Sequence, residues 1–246
     1  PHTDRRQVQT TQKKIQDRPF CTQRCLAGVA FGAVMDENCP NLEDHGARHL
    51  DRPEFLRLIR VQLAKDRGPD ADCVPLYLSG AVRLSSHGYT LVAKGVESFD
   101  LALLRHENDM YDRVKAIQGK HVPVCLSRID LILPYYYDGG VFEHFMFLSW
   151  AGRPLFECHN QIGKRAIVDA VTTAFTELHK LRVFHHDGKP RNILCDGGSG
   201  RVMIVDLERA ELYSRQPLGP ISPNGQARKK KRKVEKQGKD PFTMEL

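Results

Sequence analysis

Two neighbouring stretches carry most of the information in this sequence: His185-His-Asp-Gly-Lys-Pro-Arg-Asn192-Ile-Leu and Val202-Met-Ile-Val-Asp206-Leu-Glu. The first places Asp187 five residues before Asn192, and the second ends an apolar run with Asp206. Between the two runs, Asp196-Gly-Gly-Ser-Gly200 predicts a hairpin of two short strands. In phosphoryl transfer one carboxylate orients the attacking hydroxyl, while an amide and a second carboxylate hold the Mg²⁺ that bridges the nucleotide phosphates. These stretches therefore predict a phosphoryl-transfer site supported by a rigid hairpin.

A lysine and a glutamate further upstream suit the same chemistry. Residues 89–94 have a β-strand pattern that ends in Lys94. Residues 101–117 have apolar residues at helical spacing, and Glu107 lies on the apolar stripe with Leu103 and Met110. An acid on an apolar face needs an inward-facing cation. Taken alone, Glu107 also fits a partly exposed helical acid, and Lys94 fits a lysine that snorkels from a strand end.

The two quoted stretches resemble the catalytic loop and the metal-binding loop of the protein-kinase-like superfamily. The pattern of that superfamily is H-R-D-x-K-P-x-N followed by D-F-G. The chain keeps five residues of the pattern: Asp187, Lys189, Pro190, Asn192 and Asp206. It departs from the pattern at His186, where arginine is usual, and at Leu207-Glu208, where Phe-Gly is usual.

The upstream residues fit the same resemblance. Val92-Ala93-Lys94 resembles the V-A-I-K strand whose lysine grips the α- and β-phosphates. The resemblance implies an ion pair between Lys94 and Glu107 that clamps these phosphates. It also implies that Asp187 is the catalytic base or orienter, with Lys189 near the transferred phosphoryl group, and that Asn192 and Asp206 bind Mg²⁺. ATP and Mg²⁺ are therefore the expected cofactors, and the acceptor is an unknown protein or small molecule.

The resemblance covers about residues 74–212 and implies an α+β, two-lobed, protein-kinase-like fold. An antiparallel sheet with one key helix forms the N-lobe, a truncated, mainly helical C-lobe follows, and ATP lies between them. Residues 147–152 stand where the hinge between the lobes is expected. The short C-lobe is similar to that of minimal atypical kinases, such as the small kinase of the tRNA-threonylcarbamoyl complex. Leu148-Ser-Trp-Ala-Gly152 and Asp206-Leu-Glu-Arg-Ala210 most resemble uncharacterised fungal kinase-like proteins.

Two other functions stay open alongside ATP-dependent phosphotransfer. Residues 78–88 precede Lys94 without a G-x-G-x-x-G motif, and no A-P-E motif follows Asp206. The missing glycines and the short C-lobe fit a pseudokinase, a catalytically silent nucleotide-binding or protein-interaction module. A third hypothesis is a zinc-stabilised nuclear adaptor that binds its partner through the basic tail. ATP hydrolysis separates the first function from the other two.

Cysteines and histidines cluster before the kinase-like region. Their spacing is Cys21-x3-Cys25-x13-Cys39-x5-His45, and His49 follows four residues later. Structural Zn²⁺ takes four nitrogen or sulfur ligands, so the three cysteines with either His45 or His49 form a candidate zinc site. The alternative is a set of small buried thiols, which free cysteines commonly are. Seven cysteines in 246 residues are too few for a disulfide scaffold, so we expect reduced thiols.

The net charge of +7 is concentrated in one segment. Residues 226–240 hold eight Lys or Arg and two acids, so the rest of the chain is close to neutral. Arg228-Lys-Lys-Lys-Arg-Lys-Val234 resembles the nuclear import signal of a viral large T antigen. We expect an import receptor to bind Lys229–Val234, and a solvated charge run is the alternative. No run approaches the ~20 apolar residues of a membrane helix, and the first residues lack the apolar core of a secretory signal. We therefore expect a nuclear or nucleocytoplasmic protein that is not secreted and has no membrane partner.

We expect a helix to begin at Asp51, with Asp51 as N-cap, Pro53 in the first turn and an apolar stripe from Phe55 to Leu63. Strands are predicted at 122–126 and 145–150, and an amphipathic helix at 165–181. These elements divide the chain into five regions. They are a flexible leader at 1–18, a Cys/His-containing extension with a helix at 19–72, an N-lobe at 73–150, a short C-lobe with the catalytic and metal loops at 151–216, and a disordered basic tail at 217–246.

Overall fold

The computed structural model describes residues 15, 18–66, 73–74, 80–158, 163–197 and 199–213. The predicted basic tail and nearly all of the predicted leader lie outside these residues. The chain divides into two compact units. The first comprises Pro1–Asn108 with Val124–Trp150, and the second comprises Asp109–Pro123 with Ala151–Leu246. No helix in the described part of the chain is long and apolar enough to cross a membrane.

An antiparallel sheet forms the centre of the first unit. Among the described residues its strands follow the order β1-β2-β3-β5-β4. Their bounds are β1 Cys73–Val74, β2 Ala81–Leu84, β3 Tyr89–Val96, β4 Cys125–Tyr137 and β5 Gly140–Leu148. Two helices, α1 (Gln23–Phe31) and α2 (Arg52–Lys65), pack on this sheet. A third helix, α3 (Leu101–Arg113), carries Glu107.

Helix α2 forms as its sequence predicts. The Asp51 side chain accepts a hydrogen bond from the Glu54 backbone N–H at 2.9 Å, and a proline occupies the first turn. Phe55 and Ile59 are fully buried by the sheet. The Phe55 ring meets the rings of Tyr89 and Phe147 edge-on, at centroid distances of 6.1 and 5.9 Å. The apolar stripe of α2 therefore packs on the sheet, where the helix lies mainly against β4 and β2 and meets β3 and β5 through Phe55.

Helix α1 was not predicted from the sequence. The Thr22 side chain caps it by accepting from the Cys25 N–H at 3.0 Å, and Gly32 ends it in the left-handed region at φ 79°. Its buried face, which includes Leu26 and Val29, joins the same core as α2 and the sheet. The Cys/His-containing extension and the sheet thus share one hydrophobic core within the first unit.

Strand β4 departs from the prediction. A strand was expected at 122–126, but β4 begins at Cys125 and runs to Tyr137. Val122 instead lies in a turn and forms an isolated bridge with Gln118. Pro134, which argues against a strand, is accommodated because the register with β5 is irregular between Asp130 and Tyr135.

The second unit combines helix α5 with small sheets. Helix α5 (Lys164–Lys180) matches its predicted range to within a residue, and its buried face includes Ala174, Phe175 and Leu178. In the described residues the sheets are β6-β8-β9 and β10-β7. The strands are β6 Arg153–Pro154, β7 Val183–Phe184, β8 Ile193–Asp196, β9 Arg201–Ile204 and β10 Glu211–Leu212, and a short helix α4 spans Leu155–Cys158. The antiparallel pairing of β8 with β9 is the predicted hairpin.

A glycine allows the chain to pass close to β8. Gly152 has φ 112°, a conformation that L residues rarely adopt. A Cβ atom at this position would lie 2.2 Å from the Cys195 carbonyl oxygen. Only glycine therefore fits at the start of β6, where the strand joins β8.

Candidate functional site

The predicted catalytic loop surrounds one buried carboxylate. The Asp187 side chain is 6% exposed, and two cations bind its two oxygens. Lys189 Nζ lies 2.8 Å from Oδ1, and Arg191 Nη2 lies 2.7 Å from Oδ2. The Asn192 amide donates to Oδ2 at 3.1 Å and to the Asp187 carbonyl oxygen at 3.0 Å. The loop therefore brings Asp187, Lys189 and Asn192 together, as the sequence predicted.

The two cations keep Asp187 charged. The hydrogen bond from Lys189 is the largest cause that lowers the pKa of Asp187 to about 2, burial opposes it, and Arg191 lowers the pKa further. At neutral pH the carboxylate is therefore ionised and can accept a hydrogen bond from a hydroxyl and orient it. Arg191 was not predicted as a site residue. Its position four residues after Asp187, which allows the two side chains to pair, was the one feature that could have indicated it.

His185 links the catalytic loop to the residue before Asp206. The ring is fully buried. Its Nδ1 accepts from the Asp187 backbone N–H at 3.2 Å, and its Nε2 donates to the Val205 carbonyl oxygen at 2.9 Å. These two bonds require the tautomer that carries its proton on Nε2. His185 therefore holds the backbone of Asp187 against Val205.

The β8–β9 hairpin fixes the candidate Mg²⁺ ligands within the second unit. Asn192 directly precedes β8, and its carbonyl oxygen accepts from the Val205 N–H at 2.9 Å. Asp206 follows two residues after β9 and has φ 66° and ψ 63°, in the left-handed region. A residue other than glycine costs roughly 1–2 kcal/mol in that conformation, although aspartate tolerates it better than most. The hairpin and this turn fix where Asp206 leaves the strand.

The first unit holds the predicted lysine–glutamate pair. Lys94 lies on β3 opposite Met146 of β5. Its Nζ is 2.7 Å from Glu107 Oε2, and the glutamate side chain is only 1% exposed. The acid on the apolar stripe of α3 thus faces a cation. Leu103, which was expected on the same buried stripe, is 46% exposed, whereas Leu104 is buried.

The cysteine–histidine cluster is a compact, buried group of four side chains. Nε2 of His45 lies 3.6 Å from Cys21 Sγ, 3.3 Å from Cys25 Sγ and 3.2 Å from Cys39 Sγ. All four potential ligand atoms lie within 4.8 Å of one another. With Zn–S near 2.3 Å and Zn–N near 2.0–2.1 Å, a tetrahedral site separates sulfur from nitrogen by about 3.5 Å. The group therefore fits one tetrahedral Zn²⁺.

His45, and not His49, completes the cluster. Nδ1 of His45 is 2.7 Å from the His87 carbonyl oxygen, which leaves Nε2 to face the sulfur atoms. The ring also stacks on Tyr89 at a centroid distance of 4.1 Å. His49 Nδ1 instead lies 3.0 Å from the Tyr89 hydroxyl oxygen. Sequence spacing left both histidines open as the fourth ligand, and the structure selects the first.

The surroundings favour positive charge at the centre of the cluster. Hydrogen bonds from Cys21 and Cys25 lower the pKa of Cys39 and favour its thiolate, whereas hydrogen bonds to Cys21 and Cys39 raise the pKa of Cys25 and favour its thiol. Burial alone would lower the pKa of His45, but hydrogen bonds to Cys21 and Cys39 outweigh it and raise the pKa to about 10. The backbone N–H of Thr90 and the amide of Asn41 donate to Cys21 Sγ at 3.3 and 3.4 Å. Three close-packed sulfur atoms that compete for negative charge are suited to a divalent cation, which would let all of them bind as thiolates.

Arg83 supports this cluster and was missed in the sequence. Its guanidinium is 6% exposed and contacts Asp44 Oδ2 at 2.5 Å. It also donates to Asn41 Oδ1 at 3.2 Å and to the Gly88 carbonyl oxygen at 2.9 Å. Because Asn41 also donates to Cys21 Sγ, Arg83 holds the residues beside the cluster in place, while Asp44 balances its charge.

Comparison with known proteins supports the kinase-like character of the chain. Residues 153–217 match the model of the Lipopolysaccharide kinase (Kdo/WaaP) family. The chain is also 32% identical over 211 residues to the meiotic driver SPOK2 of Podospora anserina. That alignment covers 79% of this chain and 26% of the relative, so the chain corresponds to about a quarter of the relative's length.

The matched segment contains the catalytic loop, the β8–β9 hairpin and Asp206. The mixed helical and antiparallel-sheet content of the two units agrees with the expected α+β class. The two comparisons confirm the resemblance that the sequence motifs indicated. The chain resembles the Kdo/WaaP kinase family of the protein-kinase-like superfamily, and it has a fungal relative.

Proposed function

We propose that this protein is an ATP-dependent phosphotransferase with a two-lobed kinase-like fold. The observation that carries the proposal is the catalytic loop, in which a buried, ionised Asp187 contacts Lys189 and Asn192. The match of the surrounding segment to a kinase family supports the same reaction class. We propose that the first unit is the N-lobe and the second unit the C-lobe.

Each proposed nucleotide contact follows from a local feature of the chain. Lys94, held by Glu107 at 2.7 Å, would bind the nucleotide phosphates. Asn192 and Asp206 offer amide and carboxylate oxygens, which suit Mg²⁺. Mg²⁺ would neutralise the charge that develops on the transferred group. Asp187 would orient the acceptor hydroxyl and take its proton.

Nucleotide binding can be tested by thermal stabilisation with ATP, in the presence and absence of Mg²⁺. A ligand at a hundred times its Kd adds about 2.7 kcal/mol of stability. We expect a clear shift that depends on Mg²⁺ and that weakens in both Lys94→Ala and Asp206→Asn. Arg165→Ala, at an exposed position on α5, is the matched control and should retain the shift. If both site variants bind like the parent, the assignment of these residues is wrong.

A pseudokinase is the second candidate function. Leu207-Glu208 replaces the usual Phe-Gly, and both oxygens of Asp187 are already bound by cations. A protein that binds ATP with Mg²⁺ but transfers no phosphate would have this function. Binding and turnover must therefore be measured on the same preparation.

We propose that Cys21, Cys25, Cys39 and His45 hold one structural Zn²⁺. The four-ligand geometry leaves no open position for a substrate, which is typical of structural sites. The metal would join the start of α1 to the loop before α2, and His45 would link that loop to the β2–β3 turn through the His87 carbonyl oxygen. Metal analysis of purified protein should give close to one zinc per chain.

We further propose that Lys229–Val234 directs nuclear import through an import receptor. The support is the sequence alone, because these residues lie outside the described part of the chain. Fusion of residues 222–240 to a fluorescent reporter should concentrate the reporter in nuclei. Alanine at Lys230, Lys231 and Arg232 should abolish this effect, whereas an evenly distributed parent reporter would contradict import.

A further inference from the structure

The segment that carries the first two cysteines also contacts the strand that carries Lys94. The Cys21 backbone N–H donates to the Thr90 carbonyl oxygen at 2.9 Å. In return, the Thr90 N–H donates to Cys21 Sγ at 3.3 Å. Thr90 and Lys94 both belong to β3, four residues apart on the same face of the strand. Cys21 therefore fixes the backbone near the start of the strand that carries the proposed phosphate-binding lysine.

The same segment contacts the end of the neighbouring strand. The Gln23 side chain donates to the Trp150 carbonyl oxygen at 2.6 Å and accepts from the Ser149 hydroxyl. The Phe20 ring stacks on the Trp150 ring at a centroid distance of 5.6 Å and an interplanar angle of 2°. Ser149 is tied in turn to Val124, whose N–H donates to Ser149 Oγ at 2.8 Å. Residues 20–23 thus bind the backbone directly after β5.

These two attachment points lie at the same end of the β3–β5 ladder, on the Thr90 side of Lys94. In the β3–β5 ladder Val92 lies opposite Leu148, and Lys94 lies opposite Met146. Gln23 fixes β5 just beyond Leu148, and Cys21 fixes β3 four residues before Lys94. Residues 20–25 therefore contact β3 at Thr90 and the two residues that follow β5, and β3 and β5 are the paired strands that determine the position of Lys94.

The proposed metal site fixes the position of residues 20–25 in turn. Cys21 and Cys25 flank Gln23, and both belong to the Cys3His cluster. His45, from the loop before α2, binds the His87 carbonyl oxygen at the turn into β3. Zn²⁺ bound to Cys21 and Cys25 would fix the positions of these two residues and so hold Gln23 against Ser149 and Trp150. Removal of the metal would release this constraint.

We propose that residues 20–25 form a metal-anchored clamp on β3 and β5, in which Gln23 is a positioning residue for Lys94, so that zinc binding and nucleotide binding are coupled. This inference rests on the proposed function. Coupling between two sites is reciprocal: zinc strengthens ATP binding by the same factor by which ATP strengthens zinc binding. Couplings of this kind commonly amount to about 5–150-fold in affinity.

The test compares ATP affinity in the presence of Mg²⁺ for zinc-loaded and chelated protein, with folding monitored by circular dichroism. We expect about tenfold weaker ATP binding without zinc, within the usual range of couplings. Zinc-loaded Gln23→Ala should keep its zinc yet bind ATP about fivefold more weakly, at the lower end of that range. Arg24→Ala, at an exposed position on the same helix, is the matched control and should bind like the parent.

Gln23→Ala keeps the test decisive even if the chelated protein unfolds, because the variant retains the four metal ligands. If zinc-loaded Gln23→Ala binds ATP as tightly as the parent, the clamp is overturned while the proposed function stands. If the zinc-loaded parent binds no ATP at all, the proposed function fails first. As a reciprocal check, saturating ATP should slow the loss of zinc to a chelator in the parent but not in Lys94→Ala.

Discussion

Zinc should control the stability of the first unit, and Cys39→Ala tests this directly. Cys39 Sγ lies 3.2 Å from His45 Nε2, the shortest of the three sulfur–nitrogen distances in the cluster. Removal of this sulfur leaves three of the four ligands of a tetrahedral site, so the affinity for Zn²⁺ should fall steeply. The substitution itself removes only one small buried side chain.

The size of the effect follows from ligand linkage. At a free zinc concentration a thousand times the Kd, binding to the folded state adds about 4.1 kcal/mol. One kcal/mol changes the melting temperature of a domain of 150–250 residues by roughly 2–4 °C, so the parent should melt about 8–16 °C higher with zinc than without it. Cys39→Ala should melt at nearly the same temperature in both conditions.

The assay is thermal unfolding in a zinc buffer, followed by circular dichroism and paired with metal analysis. Cys195→Ala, which removes a buried cysteine of the second unit, is the matched control and should keep the full zinc-dependent shift. A parent protein that purifies without zinc and melts at the same temperature at every zinc concentration would refute the metal centre.

Three further outcomes follow from the described contacts. Gly152→Ala should destabilise the second unit by about 1–3 kcal/mol in urea unfolding, because φ 112° strains an L residue and the new Cβ meets the Cys195 backbone. Gly163→Ala, whose Cβ meets open space at the N-cap of α5, should cost less than about 1 kcal/mol; equal effects of the two changes would contradict this reasoning. His185→Phe should slow phosphate transfer about tenfold, equivalent to about 1.4 kcal/mol, while ATP still binds, and an unchanged rate would show that His185 does not position Asp187. His49→Ala should leave the zinc content at one per chain, because His49 Nδ1 lies against the Tyr89 hydroxyl while His45 Nε2 faces the three sulfur atoms; loss of zinc from this variant would contradict His45 as the fourth ligand.

Local sequence spacing predicted the parts of the site that lie on one loop or hairpin. Asp187 and Asn192 are five residues apart, so the loop alone brings their side chains within 3.1 Å. The turn residues between β8 and β9 then fix where Asp206 leaves the sheet. The burial of Glu107 was also readable, because an acid on an apolar helical stripe is an exception that needs a cation.

Contacts between distant segments could not be read in the same way. The choice between His45 and His49 depends on Tyr89 and on the His87 carbonyl oxygen, some forty residues away. In the sequence Arg83 is an ordinary charged residue of a strand. Its burial depends on the contact with Asp44, which lies in a distant loop. Helix α1 was missed because it is short, although Thr22 and Gly32 were readable as its caps.

The central claim is that the protein transfers phosphate from ATP, and Asp187→Asn tests it most directly. Asparagine keeps the shape of the side chain but removes the charge that, in the proposed function, would orient the acceptor hydroxyl. With ATP binding and ³²P release or transfer measured on the same samples, the parent should show slow, Mg²⁺-dependent activity. Asp187→Asn should bind ATP nearly as well yet lose that activity. Equal background rates in both proteins, with ATP bound in both, would contradict phosphotransfer and support the pseudokinase function.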